Sequence, residues 1–575
     1  MSFQGPFDVN NWRIQKIAVV GAGIVGVPMA ALLARAGIKQ GAEKPAPVIV
    51  IQRRSATSGW KVESINAGRS PIGGVEPDLD RIVAESVAQG LLSASHDYGD
   101  LRDADVILVC VQTDKDGFQP DYRPLNEALT NIALEFQRRP AGKIPLIIIE
   151  STLAPSSMST LVQNHFAEYG LVEGRDILLG NSPNRVMPGR LVERIITSDK
   201  IVGGPRPETP RAIQKIYSQV VTKGTLHLTN SLTAEIVKTL ENAYRDVRIA
   251  FAAEIVRYCD EFGLDFYQVR ELVNQKLSWS DKASKDADVV PSGGLLIPTI
   301  GVGGHCLPKD GILLLWRQIE SGQDMSYSVI LEARRVNDES PAQTIRFMEK
   351  NFGRLRGESV ALLGASYRAN SEDTRNSPTL SLAQQLLDKG CRIAIHDPYV
   401  KPNDQNLLRF GLNGYFTNNL EKALVTARYI IFCAAHAAYR SEVQNILKMA
   451  SSLQGVFDGC NLFQVSDYSG KGKAFSGIGK GESRPSPEFV RFVQDGFLSV
   501  ERGFSNEVEN FINFANAKYV RDEFNRAQFK EVKALAETCV TGCKLAEPGS
   551  INSLSAHKGF MPRLVRCATK LPQNK

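Results

Sequence analysis

The chain has 575 residues, more than one hydrophobic core supports, and its 43% hydrophobic and 23% charged content is that of a globular protein of about three to four domains. A formal charge of +6 over this length suits an anionic small molecule and, with no basic stripe interleaved with aromatics, argues against a nucleic-acid partner. The opening MSFQGPFDVNNWRIQ lacks the basic start and apolar run of a secretory signal, and no apolar stretch approaches a bilayer span, so the expectation is a cytoplasmic protein with reduced thiols.

Residues 16–37 run from a short β-branched strand through Gly21, Gly23 and Gly26 into an alanine- and leucine-rich helix, with Ile24 and Val25 inside the turn. This is the strand, turn and helix of a dinucleotide site. The first glycine permits the turn, the second lets a pyrophosphate approach the backbone, and the third packs helix on strand. The second strand, 47–51, ends in Gln52, Arg53, Arg54 and Ser55 in place of the acid that binds an adenosine ribose. Two cofactors fit that ending. NAD needs only Gln52 on the ribose with the arginines solvated, whereas NADP would use the arginines for its 2′-phosphate; NAD is preferred.

Strands at 105–111 and 145–150 are apolar enough to be buried on both faces of a parallel sheet. Their ends deliver Thr113 and Ser151-Thr152 to the crevice side of a doubly wound sheet. Thr152 there either orients a water or sugar hydroxyl or caps a helix. Residues 181–190, NSPNRVMPGR, read as a loop offering Arg185 to an anion.

A long helix starts at Thr233 and reaches about residue 263, with Ile236, Leu240, Ala243, Val247 and Ala250 forming a core face. Lys238, Asn242 and Arg245 fall on another face. That face is either solvated or, at a cleft, gives a cation and an amide suited to a developing oxyanion. The stretch Gly301 to Asp310, GVGGHCLPKD, then surrounds Cys306 with glycines, Lys309 and Asp310. It is either a glycine turn with an inert buried thiol or a loop that brings a nucleophilic thiolate to a ligand.

A second α/β unit follows at 358–400, whose loop carries Arg368, Asp373 and Arg375; strands ending at His436 and at 456–461 complete its sheet. Beyond about residue 470 the sequence is helix-like and polar, without a readable motif. Cys539 and Cys543 have C-x3-C spacing but no zinc partner pair in the sequence.

Taken together, GAGIVG, STLAP, SPNRVMPG, TAEIVKTLENAYRD, GVGGHCLPKD and GASYRANSEDTRNSP, in that order over about residues 14–480, resemble the nucleotide-sugar 6-dehydrogenase family. RVMPGR and NAYRDVRIAFAAE resemble the members that act on UDP-N-acetylmannosamine or UDP-N-acetylglucosamine; UDP-glucose and GDP-mannose are the alternative substrates. The resemblance implies an α/β chain with two Rossmann-like doubly wound parallel-sheet domains joined by a central helical domain. Its boundaries would be 1–205, 206–345 and 346–480, with an extension at 481–575. It implies a four-electron oxidation of the sugar C6 alcohol to a carboxylate by two nicotinamide cofactors in succession, with no metal. Cys306 would be the nucleophile, Lys238 and Asn242 the oxyanion pair, and Asp310 and Thr152 the groups that handle protons and water. Gly21, Gly23, Ile24, Val25, Gly26, Gln52, Arg53, Thr113 and Thr152 would hold the cofactor. Asn184, Arg185, Val186, Lys238, Asn242, Arg245, Gly303 and Arg368 would hold the nucleotide sugar, and the helix at 233–263 would form a homodimer. The chain departs from the family at Asn184, where S-P-E has Glu, at Arg368 for a lysine, at Cys460 for an arginine, and at Gln52. The rival functions are a two-electron 3-hydroxy-acid-type dehydrogenase, against which the Cys306 loop and the second α/β domain argue, and a non-catalytic nucleotide-sugar scaffold, against which the retained Cys306, Lys238, Asn242 and Asp310 argue.

Overall fold

A computed structural model describes residues 7–74, 76–139, 143–186, 188–285, 289, 291, 293–464, 474–540 and 542–572. The chain divides into two compact units. The first holds Met1–Glu241, Leu313–Gln323 and Asn510–Thr541; the second holds Asn242–Ile312, Asp324–Glu509 and Gly542–Lys575.

The first unit is built on ten strands: β1 Ile17–Val20, β2 Val48–Ile51, β3 Leu92–Ser95, β4 Val106–Val109, β5 Asp114–Asp116, β6 Gln119–Asp121, β7 Leu146–Ile149, β8 Leu178–Asn181, β9 Lys200–Gly204 and β10 Leu226–Asn230. β5 and β6 pair as a small hairpin, and the other eight form one sheet in the order β10-β9-β8-β7-β4-β1-β2-β3. Every pairing in that sheet is parallel except β8 with β9, which meet antiparallel at Asn181 and Gly203. Alternation along each strand divides the core in two. Ile17, Val19, Leu108 and Ile148 belong to one apolar cluster, while Val20, Ile107, Val109 and Ile149 belong to another. Both faces are therefore covered, as the continuous apolar runs in the sequence require. The strand order reverses about β1, so the ends of β1 and β4 open the crevice where such sheets bind ligands.

The second unit contains β11 Ser359–Leu363, β12 Arg392–His396, β13 Phe416–Thr417, β14 Tyr429–Phe432, β15 Gly455–Asp458 and β16 Ala474–Gly477, all parallel in the order β13-β12-β11-β14-β15-β16. β16 lies in GKGKAFSGIGKG, where the sequence showed nothing readable. Four residues at a sheet edge, flanked by glycines, leave no periodicity to detect. The helix Ser231–Phe262 supplies the central helical region together with Phe266–Lys276, Leu307–Glu320, Val329–Asp338 and Ser340–Phe352.

The C-terminal extension is structured by helices Pro487–Tyr519, Phe529–Cys539 and Arg563–Lys570. In the second unit the first of these runs antiparallel to the long central helix. Tyr258 stacks on Phe489 at 4.8 Å, Phe251 meets Phe497 at 6.0 Å, and Tyr244 meets Phe504 at 5.4 Å and donates to Glu501 at 2.7 Å. In the first unit the 510–540 segment is tied to the sheet edge. Asn230 donates to the Phe524 carbonyl at 3.0 Å and Thr229 to Glu531 at 2.6 Å. The extension thus buries apolar faces that its polar average conceals. Among the described residues no helix is long and apolar enough to cross a membrane.

Candidate functional site

In the glycine turn after β1, two of the three glycines are demanded by steric contacts. Gly21 has φ +108°, and a Cβ there would lie 2.6 Å from the Cys110 carbonyl oxygen; at Gly26 it would lie 1.9 Å from the Gly21 oxygen. A Cβ on Gly23 would meet nothing within 4 Å. Gly23 is therefore not required by packing, and it leaves open space beside the backbone before the helix Gly26–Ala36. Ile24 and Val25 pack against the apolar cluster below. The open turn and helix N-terminus fit a dinucleotide.

Gln52 serves this turn directly. Its side-chain oxygen accepts the Ala22 N–H at 2.9 Å, its amide donates to Ser58 at 3.0 Å, and Lys61 donates to the Ala22 carbonyl at 2.9 Å. Burial pushes the Lys61 ammonium below its ordinary range. Arg53 is exposed and paired with Glu127 at 2.7 Å.

Beyond β4 and β7, the Thr113 hydroxyl donates to the Thr152 carbonyl at 2.8 Å and Ser151 to the Val111 carbonyl at 2.6 Å, which ties the two strand ends together. The loop after Thr152 is held by a residue that sequence reading passed over. Glu235, fully buried and pushed up to about 8 by that burial, accepts the N–H groups of Ser156 at 2.7 Å and Met158 at 2.8 Å. Arg317 adds a bond to the Ser156 hydroxyl at 3.0 Å.

Asn184 belongs to a buried network, also unforeseen. Its amide N–H donates to Glu150 and its oxygen accepts from Lys200 at 3.0 Å; Lys200 reaches Glu150 at 2.9 Å, and the Tyr217 hydroxyl donates to the other Glu150 oxygen. Burial raises the Glu150 carboxyl and lowers the Lys200 ammonium. A neutral amide at 184 bridges this ion pair. A second carboxylate there would set like charge beside Glu150. The signal was available in part, since Glu150 is an acid at the end of a wholly apolar strand.

Arg185 donates through Nε to Glu241 at 2.6 Å with its side chain 8% exposed, yet Nη1 and Nη2 find no hydrogen-bond partner among the described residues. Buried donors left over in this way mark a place for ligand acceptors. Val186, beside it, packs on the core. On the long helix Lys238 is buried, Asn242 is half-buried and Arg245 is exposed, so these three residues differ in setting despite their common spacing.

In the second unit Cys306 is exposed, and its carbonyl accepts the N–H groups of Lys309 at 3.1 Å and Asp310 at 2.9 Å. It therefore caps the helix Leu307–Glu320, and the positive end of that helix favours a negative sulfur. Asp310 is fully buried and accepts from the Asn242 amide at 2.6 Å. Lys309, three residues after the thiol in the sequence, is buried with its ammonium 3.8 Å from Asp310.

The glycines here answer to a neighbouring loop. A Cβ on Gly303 would lie 2.3 Å from Tyr367 Cβ, and Gly304, at φ +88°, lies against the Tyr367 ring. Gly304 N–H donates to the Arg375 carbonyl at 2.8 Å, and the Asn376 amide donates to the Gly304 carbonyl at 3.0 Å. Arg375 is paired with Asp373 at 2.6 Å, and Arg368, half-buried, lies in the same loop. The motif GASYRANSEDTRNSP thus holds the cysteine loop. Near Cys460, Lys480 lies 3.7 Å from Asp458 and bonds Asn461 at 2.5 Å, so a lysine outside the motif supplies the local cation.

Three family models of the UDP-glucose/GDP-mannose dehydrogenase family match the chain: its NAD-binding domain at residues 15–221, its central domain at 232–339 and its UDP-binding domain at 361–465. The chain is 31% identical over 474 residues to a protein named UDP-N-acetyl-D-mannosamine dehydrogenase from Pyrococcus horikoshii, covering 81% of this chain and 100% of that one. It is 30% identical over 433 residues to an NDP-N-acetyl-D-galactosaminuronic acid dehydrogenase from Ralstonia nicotianae, covering 74% and 91%. A solved structure of the UDP-D-ManNAc dehydrogenase from Pyrococcus horikoshii superposes with a TM-score of 0.67 at 30% identity over 81% of this chain and 100% of that one.

Proposed function

From the premise that this chain belongs to the UDP-glucose/GDP-mannose dehydrogenase family and is an NAD-dependent nucleotide-sugar dehydrogenase, we propose that it oxidises the C6 alcohol of a UDP-N-acetylhexosamine to the uronate through a thioester on Cys306. UDP-N-acetylmannosamine is the first choice of substrate and UDP-N-acetylglucosamine the second. The observation that carries the proposal is Cys306 itself, exposed at a helix N-terminus in a loop whose glycines have no room for side chains.

The Gly21–Gly26 turn would hold NAD, which would supply the hydride acceptor for each of two oxidations. Lys238 and Asn242 hold the C6 oxygen while it carries negative charge. The Cys306 sulfur adds to the C6 aldehyde, the carbonyl electron pair moves to oxygen, and the oxygen takes a proton. Loss of hydride from C6 and of that proton leaves a thioester. A water positioned by Thr152 then adds at C6 and gives one proton to Asp310; the C–S bond breaks, and the second proton of that water passes from the new carboxylic acid to the departing Cys306 sulfur, leaving the carboxylate and the thiol. Arg185, whose Nη1 and Nη2 find no partner among the described residues, is assigned to the sugar nucleotide with Asn184, Val186, Arg245, Gly303 and Arg368.

Engagement of Arg53 by Glu127 supports NAD over NADP. A homodimer through the helix Ser231–Phe262 must use residues outside the Tyr244, Phe251 and Tyr258 face, which Pro487–Tyr519 covers within the chain. The test is a panel of UDP- and GDP-sugars against NAD and NADP, read as reduced cofactor per product. Two per sugar from a UDP-N-acetylhexosamine, and loss of carboxylate with Cys306→Ala, are expected. One per sugar, or unchanged carboxylate without Cys306, would overturn the thioester route. No reduction with any sugar would leave a binding scaffold as the reading.

A further inference from the structure

The extension's Cys539 meets two residues of the first unit that play no part in the chemistry above. Asp199 directly precedes β9, His227 lies in β10, and Cys539 is the last residue of the helix Phe529–Cys539. One ligand atom from each of the three lies within 4.8 Å of the others. We propose that Asp199, His227 and Cys539 form a binding site for a borderline divalent metal ion, Zn²⁺ by its ligand set, that fastens the C-terminal extension to the edge of the dinucleotide-binding sheet.

The ligand chemistry is selective. A thiolate, an imidazole and a carboxylate on one centre suit zinc, whereas magnesium and calcium take oxygen ligands. The geometry needs little adjustment. Asp199 Oδ2 and His227 Nε2 are 2.9 Å apart as a hydrogen-bonded pair. Zinc bonds of about 2.0–2.1 Å at a tetrahedral angle place two such ligands roughly 3.3 Å apart. An ion therefore replaces the shared proton with a widening of a few tenths of an ångström, and water takes the fourth position. Asp199 is already oriented from behind, since its other oxygen accepts the Thr225 N–H at 2.9 Å, the kind of outer-shell bond that fixes a metal-binding carboxylate. All three residues are half-buried, so the ion has an entry path.

Arg185 is a cation near Cys539, and its charge is offset by Glu241 at 2.6 Å. Coordination releases the Cys539 proton, leaving a bound thiolate. The C-x3-C spacing of the sequence thus finds partners for Cys539 in the fold rather than in a second cysteine pair. The extension is attached here already by Thr229 to Glu531 and Asn230 to the Phe524 carbonyl, and the ion would hold the far end of the same helix.

The experiment uses the full chain, stripped with a chelator and titrated with ZnCl₂, with CoCl₂ as the spectroscopic probe. About one ion per chain, a tetrahedral Co²⁺ spectrum with a thiolate charge-transfer band, and a raised melting temperature are expected. Cys539→Ser and His227→Gln should lose all three, and Cys543→Ser should keep them. In the unsubstituted protein, Zn²⁺ should protect Cys539 from alkylation, read by peptide mass, whether or not the variants fold. Alkylation of Cys539 at the same rate with and without Zn²⁺, or one-to-one binding that survives Cys539→Ser, would overturn the site.

Discussion

The Asn242 side-chain amide donates to Asp310 Oδ2 at 2.6 Å, which joins the long central helix to the first turn of the helix that begins after Cys306. The second carboxylate oxygen, Oδ1, is buried, has no hydrogen-bond partner among the described residues, and lies 3.8 Å from the Lys309 ammonium. A carboxylate fixed through one oxygen and spare at the other is equipped to take a proton from water. Asp310→Asn keeps the volume and removes the base. We expect turnover to fall by about 10²–10⁴-fold with KM changed little, the range for loss of a general base. Steady-state rates with the best sugar of the panel check this, and a parallel rise in KM with intact turnover would reassign Asp310 to binding.

Gly303 is a prediction about stability and site together. Its missing side chain is demanded first by Tyr367 Cβ, 2.3 Å from where an added Cβ would stand, with the ring carbon Cγ at 2.9 Å and the Asn376 carbonyl oxygen at 3.0 Å adding to the clash. Gly303→Ala should therefore cost about 1–3 kcal/mol through overpacking. Tyr367→Ala should not rescue it, because alanine keeps the offending Cβ, whereas Tyr367→Gly should recover part of the loss. Urea midpoints for the two double variants distinguish these outcomes.

Buried acids set the pH dependence of stability. Burial pushes Glu235 and Asp260 up to about 8, Glu254, Glu501 and Glu507 to about 7, and Asp246 to about 6. Each folded value lies above the ordinary carboxyl range, so between the two the folded state holds more protons than the unfolded state. Their contribution is complete below about pH 4 and is lost as pH rises through the folded values. The melting temperature should fall from pH 6 to pH 9, and Glu235→Gln, which cannot ionise, should flatten part of that slope. A midpoint that rises over this range would contradict the assignment.

The sequence exposed what is repeated in local pattern. The apolar runs of β1, β4 and β7 and the glycine turn were legible because burial on both faces and a steric need for glycine write themselves into adjacent residues. The Cys306 loop was legible as a loop, but its cause was not, since Tyr367 lies about sixty residues away and a clash between Cβ atoms leaves no mark in either segment. The same holds for Glu235 under the Thr152 loop and for Lys200 against Glu150. Their pairings span 77–79 and 50 residues, and apart from Glu150, whose place at the end of an apolar strand was a partial signal, each partner alone reads as an ordinary charged residue. The extension was misjudged by averaging, because Phe489, Phe497 and Phe504, with other apolar residues, are interleaved with charged residues along one helix.

Asn184 tests whether its departure from the family pattern is compensated within this chain. The amide bridges Lys200 and Glu150, a pair whose side chains are 6% and 0% exposed. Asn184→Glu would add a carboxylate to a buried site with one ammonium for two acids, so one acid must stay protonated. The expected result is a lowered melting temperature that drops further as pH rises, with no gain in turnover. Lys200→Met, which leaves Glu150 unpaired and buried, should cost about 3–5 kcal/mol, measured by chemical denaturation. If Asn184→Glu instead raised turnover without loss of stability, the carboxylate would belong to the hydrolytic step, and the Glu150 network would be a packing feature only.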